Sequence, residues 1–386
     1  MPASAPSSPW SIKSELMRLS LSDRLRQLDP IIVGVSFGFL ILGLAVLTSA
    51  TAAVAVQRTG DSLYLVKRQL MLGVLPGSFL FVFLALVDYR IWKRYAFFIL
   101  VGAFVLLLLV YVPGVGERVG GSLSWITIAG LRFQPSELVK LGFLIYLAAW
   151  FSSRSQTLLR DWRESLVPFV GTLGAIVLLL VIQPDTGSMT VIAGTAVLLY
   201  LVAGAPITWF VGMVSVGAGL LWILIKTSPY RAARFMTFLR PELDPKGIGY
   251  HINQAILAVA SGGWLGLGYG KSRQKYLYLP EVEADSIFAV MAEEMGFVIT
   301  LLILCAYGVL VWRCFVIARR SKDRFGAYLA AGIGMWVALQ VGLNVGSMIG
   351  ILPITGVTLP FISHGGTSLA VMLASVGLVA GIPKRM

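Results

Sequence analysis

Between residues 271 and 294 the sequence reads KSRQKYLYLPEVEADSIFAVMAEE: the bases Lys271, Arg273 and Lys275, then Pro280, then the acids Glu281, Glu283 and Asp285, then an apolar run holding Glu293 and Glu294. A carboxylate at the mouth of an apolar helix is a proton acceptor, and bases just ahead of it suit an anionic, phosphate-bearing group. Asp285 stands at or just before the first helical turn, where an N-cap contributing about 1 kcal/mol is the plain alternative. Glu293 falls two turns deeper on nearly the same face, roughly 12 Å along the axis. A carboxylate inside hydrocarbon costs about 2.5–3.5 kcal/mol, so Glu293 or Glu294 is expected to face a cavity or a cationic partner. The neighbouring GLGYGKS is no phosphate loop of the Walker type, because Leu265 stands where the first glycine is required. Its glycines suit close backbone turns at a membrane surface, with Lys271, Arg273 and Lys275 able to meet an anionic head group.

A second polar cluster lies in FQPSELVKL, where Pro135 suits a first helical position, Glu137 suits the helix dipole, and Lys140 follows one turn on. Two readings stand side by side: an i,i+3 pair that neutralises itself, or a Lys140 aimed at the cavity that holds Asp285. QPDTGSM places Asp185 beside a helix-stopping proline, as a turn residue. The stretch NVGSMIGILPITGVTLPFISHGGTS is apolar but broken by Gly and Pro, so it must be buried in protein or line a cavity. His364, near its end, is expected to be a packed, hydrogen-bonding residue.

The elements that must position these groups are set by composition. Of 386 residues, 57% are hydrophobic and 13% charged, and the mean hydropathy is +0.84, which excludes a soluble domain of this length. Apolar runs near the roughly 20 residues that cross a bilayer recur from residue 31 onward, which favours helices over barrel strands. The fold class expected is an all-α polytopic membrane protein of ten spans. These are placed at 30–50, 69–87, 95–113, 135–152, 165–183, 188–204, 207–226, 286–312, 325–349 and 365–382. Residues 1–29 form a polar tail with no cleavable signal peptide, and 30–386 the membrane domain. Lys13, Arg18, Arg24 and Arg26 precede the first span, and Arg90, Lys93, Arg94, Arg154, Arg160, Arg163, Arg313, Arg319, Arg320, Lys322, Arg324, Lys384 and Arg385 recur on the same parity. Both termini are therefore expected in the cytoplasm. The same rule accounts for the net charge of +13 without nucleic acid. Residues 227–284 are left as one large extracytoplasmic loop, with Arg231, Arg234, Arg240 and Lys246 among its bases; within it, YHINQAILAVASGG reads as an amphipathic surface helix ending at a glycine. Cys305 and Cys314 fall on opposite faces of one helix, and no disulfide or metal site follows.

FQPSELVKL, QPDTGSM, SRQKYLYLPEVEADSIFAVMAEE and GILPITGVTLPFISHGGTS, in this order, resemble the SEDS family (shape, elongation, division and sporulation; the FtsW/RodA/SpoVE proteins) over residues 30–382. SRQKYLYLPE, the 240–268 loop and the KRQL near residue 67 are more similar to its division branch than to its elongation branch. The resemblance implies an inverting glycosyltransferase that polymerises lipid II at the outer face of the bacterial cytoplasmic (inner) membrane, with the septum as its site. Asp285 matches the acid of the LPE-x-x-x-D motif and would be the general base. Glu137, Lys140, Asp185, Lys271, Arg273, Gln274, Lys275, Glu281 and Ser363 fall in the matching strings as substrate-binding candidates. The family pattern departs at Glu283, Ala284 and Ser286, where His-Thr precedes the acid and Phe follows it, at SLSW, which lacks a basic pair, and at SHGG in place of SYGG. Extra acids would raise the Asp285 pKa while the helix dipole lowers it. No cofactor is required, with room for a divalent cation, magnesium or manganese, but no metal-ligand set. The implied partners are lipid II, a class B penicillin-binding protein and other divisome membrane proteins. A lipid II flippase and a non-catalytic divisome scaffold are the alternatives.

Overall fold

The computed structural model describes residues 25, 27–119, 121–128, 130–227, 229–244 and 247–383. Most of the polar tail and its bases, together with Lys246, Lys384 and Arg385, lie outside the described residues. Helices occupy the places of all ten expected spans. Eight are long and apolar enough to cross a membrane: α1 (Pro30–Thr59), α2 (Tyr64–Leu86), α3 (Tyr89–Leu109), α5 (Trp162–Ile182), α6 (Thr186–Ala203), α7 (Ile207–Thr227), α10 (Ile287–Arg320) and α11 (Arg324–Met348). The other two are α4 (Pro135–Ser152) and α12 (Gly366–Gly381), whose inward faces pack against α3 and α2 respectively. The chain is a multi-pass membrane protein.

Local signals explain the boundaries. Asp29 accepts the N–H groups of Ile31 and Ile32 ahead of Pro30, and α1 stops at Gly60 with φ of 76°. Asp29 also takes a bidentate contact from Arg313, at 2.7 and 2.9 Å, which joins α1 to α10 at the end of the bundle away from Asp285. α11 is the central helix, with 72% of its apolar window buried. Against α2 the fit of α12 depends on missing side chains: a Cβ on Gly377 would lie 2.6 Å from the Phe81 carbonyl, and one on Gly381 2.5 Å from that of Ala85.

Two regions add to the expected architecture. Between α3 and α4 the chain forms a three-stranded antiparallel sheet, β1 (Gly116–Val119), β2 (Ser122–Ile128) and β3 (Leu131–Phe133), in the order β1-β2-β3. Trp125 of β2 opposes Glu117 of β1. The 227–284 segment is not one open loop. It contains α8 (Pro229–Leu239) and α9 (Ile248–Ser261), and α9 packs on α10 rather than lying alone on a surface. Gly262 does follow α9, but at φ of −66° it is no left-handed cap. Glycine is needed there because a Cβ would sit 2.2 Å from the carbonyl oxygen of Ala292.

Candidate active site

The turn that carries Asp285 is held by its backbone. Three successive carbonyls each accept a donor from another part of the chain. The His364 N–H reaches the Glu283 oxygen at 2.7 Å, the Ser363 hydroxyl reaches that of Ala284 at 2.6 Å, and the Asn344 amide reaches that of Asp285 at 2.8 Å. Ser363 and His364 lie on the Gly/Pro-broken segment 349–365, and Asn344 is on α11. The second half of that segment is largely buried, while Ile349 and Ile351 near its start are exposed, and carbonyls of the buried half are satisfied by side chains: Thr358 by Gln340, Val357 by Asn344, Pro360 by Tyr307 and Ser363 by Gln69. Gln69 also accepts the Gly365 N–H at 3.0 Å, so α2 locks both sides of His364.

Asp285 is 7% exposed and is not the cap of α10. Ser286 holds that position with no side-chain cap bond, and its hydroxyl lies 2.6 Å from His251 Nε2 and donates to the Pro280 carbonyl at 2.8 Å. The N-cap position thus belongs to Ser286, and Asp285 stands one residue ahead of it, beside the helix start where partial positive charge accumulates. Glu281 turns the chain with φ of 49°, a left-handed conformation for a side-chain-bearing residue. Burial pushes its carboxyl pKa up, the Glu283 charge adds to this, and Arg58 opposes it. Arg58, at the end of α1, forms a 2.8 Å ion pair with Glu283. The His364 imidazole is only partly buried, and desolvation, helped by Arg68 and Arg58 and opposed by Glu283, lowers its pKa to about 4. It is neutral near pH 7 and bonds through its backbone.

The bases expected around this acid divide into two groups. Lys271 and Arg273 are exposed and form no ion pair among the described residues. Lys275 is buried and contacts Glu294 at 2.9 Å, Ser49 at 3.0 Å and the Gly270 carbonyl at 2.7 Å. The expected cationic partner of a deep acid is thus Lys275, and this base is not open to a phosphate. Glu293 instead accepts the Ser272 hydroxyl and the N–H groups of Arg273 at 3.1 Å and Gln274 at 3.4 Å. The two deep acids hold the 268–275 turn onto α10. Gln274 is 9% exposed, and its side-chain oxygen has no hydrogen bond among the described residues.

The Glu137 cluster realises the first of its two readings. Lys140 donates to Glu137 at 2.7 Å and to Gln340 at 3.3 Å, and the pair is buried, with side chains 4% and 7% exposed. Its link to Asp285 runs through α11, where Gln340 and Asn344 sit one turn apart. Asp185 caps α6 through the Ser188 N–H and accepts from Gln134 at 3.1 Å and Ser136 at 2.9 Å. Ser363 binds the site's backbone on both sides, since its hydroxyl also accepts the Leu359 N–H at 2.8 Å. Sequence reasoning missed Arg58, Gln69, Gln340 and Asn344. The last three could have been found as amides set in otherwise apolar helices, where an unsatisfied polar group is costly; Arg58 carries no such signal. No three His, Cys, Asp or Glu side chains gather into a metal-binding group among the described residues.

Comparison with known proteins extends over the same residues. A family model described as cell cycle protein, covering FtsW, RodA and SpoVE, matches residues 30–386. The chain is 39% identical over 356 residues to stage V sporulation protein E of Bacillus subtilis, covering 92% of this chain and 97% of that one. It is 40% identical to the probable peptidoglycan glycosyltransferase FtsW of Thioalkalivibrio sulfidiphilus, covering 89% of this chain and 86% of that one. Among solved structures, a chain from the structural coordination of polymerization and crosslinking by a peptidoglycan synthase complex superposes with a TM-score of 0.75 at 28% identity, covering 92% and 97%. The rod shape determining protein RodA of Thermus thermophilus superposes with a TM-score of 0.68 at 27% identity, covering 92% and 96%.

Proposed function

This chain belongs to the FtsW/RodA/SpoVE family, and from that membership we propose that it is a peptidoglycan glycosyltransferase that polymerises lipid II during cell division, with Asp285 as general base. The observation that carries the assignment of the base is the clamping of three successive carbonyls, those of Glu283, Ala284 and Asp285, which fixes a buried carboxylate one residue ahead of the cap position of α10. A turn held this way presents its carboxylate from a rigid support, as a reacting group requires.

In the reaction, the acceptor's sugar hydroxyl gives its proton to Asp285 while its oxygen attacks C1 of the donor sugar. The bond from C1 to the pyrophosphate oxygen breaks, and the electron pair leaves with undecaprenyl pyrophosphate. The anomeric centre inverts in one displacement. A pyrophosphate leaves without protonation, so one carboxylate suffices where a glycosidase needs two. The exposed Lys271 and Arg273 are the bases available to meet the leaving phosphates, whereas Lys275 and Lys140 act on the scaffold through Glu294 and Glu137. Where the reaction uses a divalent cation, the substrate's own phosphates would hold it, and it would offset their negative charge.

The Asp285 end of the bundle faces outward from the bacterial inner membrane, at the septum, with the Asp29–Arg313 end on the cytoplasmic side. The partner is a single-span class B penicillin-binding protein beside other divisome proteins; likeness to a chain from a peptidoglycan synthase complex supports this. Purified Asp285→Asn protein is expected to keep the wild-type melting temperature and to make no glycan from labelled lipid II. Glycan made at the wild-type rate would overturn the assignment, and lipid translocation persisting without polymerisation would favour a flippase.

A further inference from the structure

Glu283 stands two residues before Asp285 in the same clamped turn and would act on it as a like charge. Its side chain is 10% exposed and is met by Arg58, itself 59% exposed, at 2.8 Å. The Glu283 backbone is already fixed by the His364 N–H, so Arg58 acts on the carboxylate alone. Other ionisable groups surround it. His364 of the 349–365 segment interacts with Glu283 and also with Arg68 of α2, Glu281 and Asp285 share its turn, and His251 of α9 is bonded to Ser286. Of these, Arg58 is the cation in direct contact with Glu283. It reaches across from the end of α1 and is, among the described residues, the α1 side chain that hydrogen-bonds to the turn.

We infer that Arg58 is a positioning residue for the Asp285 chemistry: it neutralises Glu283 and ties the 281–286 turn to α1, leaving Asp285 to act as the charged acceptor. The inference rests on the glycosyltransferase reading. With Arg58 gone, the bare Glu283 charge holds the Asp285 proton more tightly. With Glu283 gone, the bare Arg58 charge releases it more readily. The two single changes thus push the acidic limb of the pH–rate profile in opposite directions, and a loss of structure would not do so.

The test is lipid II polymerisation from pH 4.5 to 8.5 by full-length wild type, Arg58→Gln, Arg58→Lys, Glu283→Gln and the Arg58→Gln/Glu283→Gln double variant. The acidic limb, an apparent property of the coupled groups, is expected to move up by about one unit in Arg58→Gln and down in Glu283→Gln. At a pH on that limb Arg58→Gln would run roughly tenfold slower than wild type. Arg58→Lys and the double variant are expected to return the limb to the wild-type position. Both single variants lowering the plateau with the limb unmoved, or a double variant that fails to restore it, overturns the inference. Wild-type protein that makes no glycan at any pH sinks the glycosyltransferase reading instead. The pair is then scored by a double-mutant cycle in thermal stability, in which additive single effects overturn it.

Discussion

At the scale of single residues, this protein commits several charges to one another that look, in sequence, like ligand-binding groups. Lys275 sits in the same basic run as Lys271 and Arg273, yet it is 4% exposed and bound to Glu294, whereas its neighbours are open. Removing one member of a buried pair leaves a charge without compensation, at a cost of about 3–5 kcal/mol. Lys275→Met is therefore expected to lower the unfolding midpoint sharply, and Lys275→Met/Glu294→Gln to recover much of the loss. A single variant with the wild-type melting temperature would show that the pair adds nothing. The spacing of Lys275 and Glu294 was readable, as was the need for Glu294 to find a cation. Which of three bases it would find was not, because that depends on the path of the chain between Ser261 and Pro280.

At the scale of elements, the decisive feature is a break in α10. Gly296 has φ of 75° and ψ of 177°, which separates the Asp285 end of the helix from its long remainder. The break frees backbone groups at a buried position of the helix, where they need partners. The strap 262–268 satisfies them: Leu267 and Gly268 donate to the Glu293 and Glu294 carbonyls at 3.0 Å, while Phe297 and Val298 donate to Gly263 and Trp264 at 2.9 and 3.2 Å. The glycines of GLGYGKS thus serve a backbone-to-backbone crossing, with Gly266 at φ of 78°. A Cβ on Gly296 would stand 2.2 Å from the Gly266 nitrogen. With the cost of the backbone conformation added, Gly296→Ala is expected to cost about 3 kcal/mol or more and to abolish polymerisation. Gly308→Ala, in the same helix with nothing near its Cβ position, serves as the control. Equal melting temperatures for the two variants would refute this account.

At the scale of the whole molecule, the site is assembled from segments distant in sequence: Arg58, Asn344 and Ser363 converge on residues 281–286, and Gln69 holds Ser363 from behind. The reading of one helix per apolar run followed from hydropathy, because backbone groups in hydrocarbon leave few other choices. Packing within the bilayer depends on close approach rather than on apolarity. Gly377 lies where α12 crosses α2, and Gly377→Val is expected to separate these helices, lowering the yield of folded protein and the melting temperature. Gly342→Ala, on α11 with open space around it, is expected to change neither. Intact folding of Gly377→Val in a detergent-stability assay would contradict this view of the α2–α12 contact.

The sequence by itself determined that the chain crosses a membrane repeatedly and where its helices lie, and it singled out Asp285 and its flanking charges as the stretch for which chemistry is proposed. Those follow from local properties: the length of apolar runs, capping residues, and the cost of charge in hydrocarbon. Only the tertiary structure decided which charges are open to a substrate and which are bound to each other. It also decided that Ser286, not Asp285, takes the cap position of α10, and that a strap of backbone fills the break in that helix. Such outcomes depend on contacts between residues some 20 to 300 positions apart, from Lys275 with Glu294 to Gln69 with Ser363, and spacing along one helix or loop does not encode them.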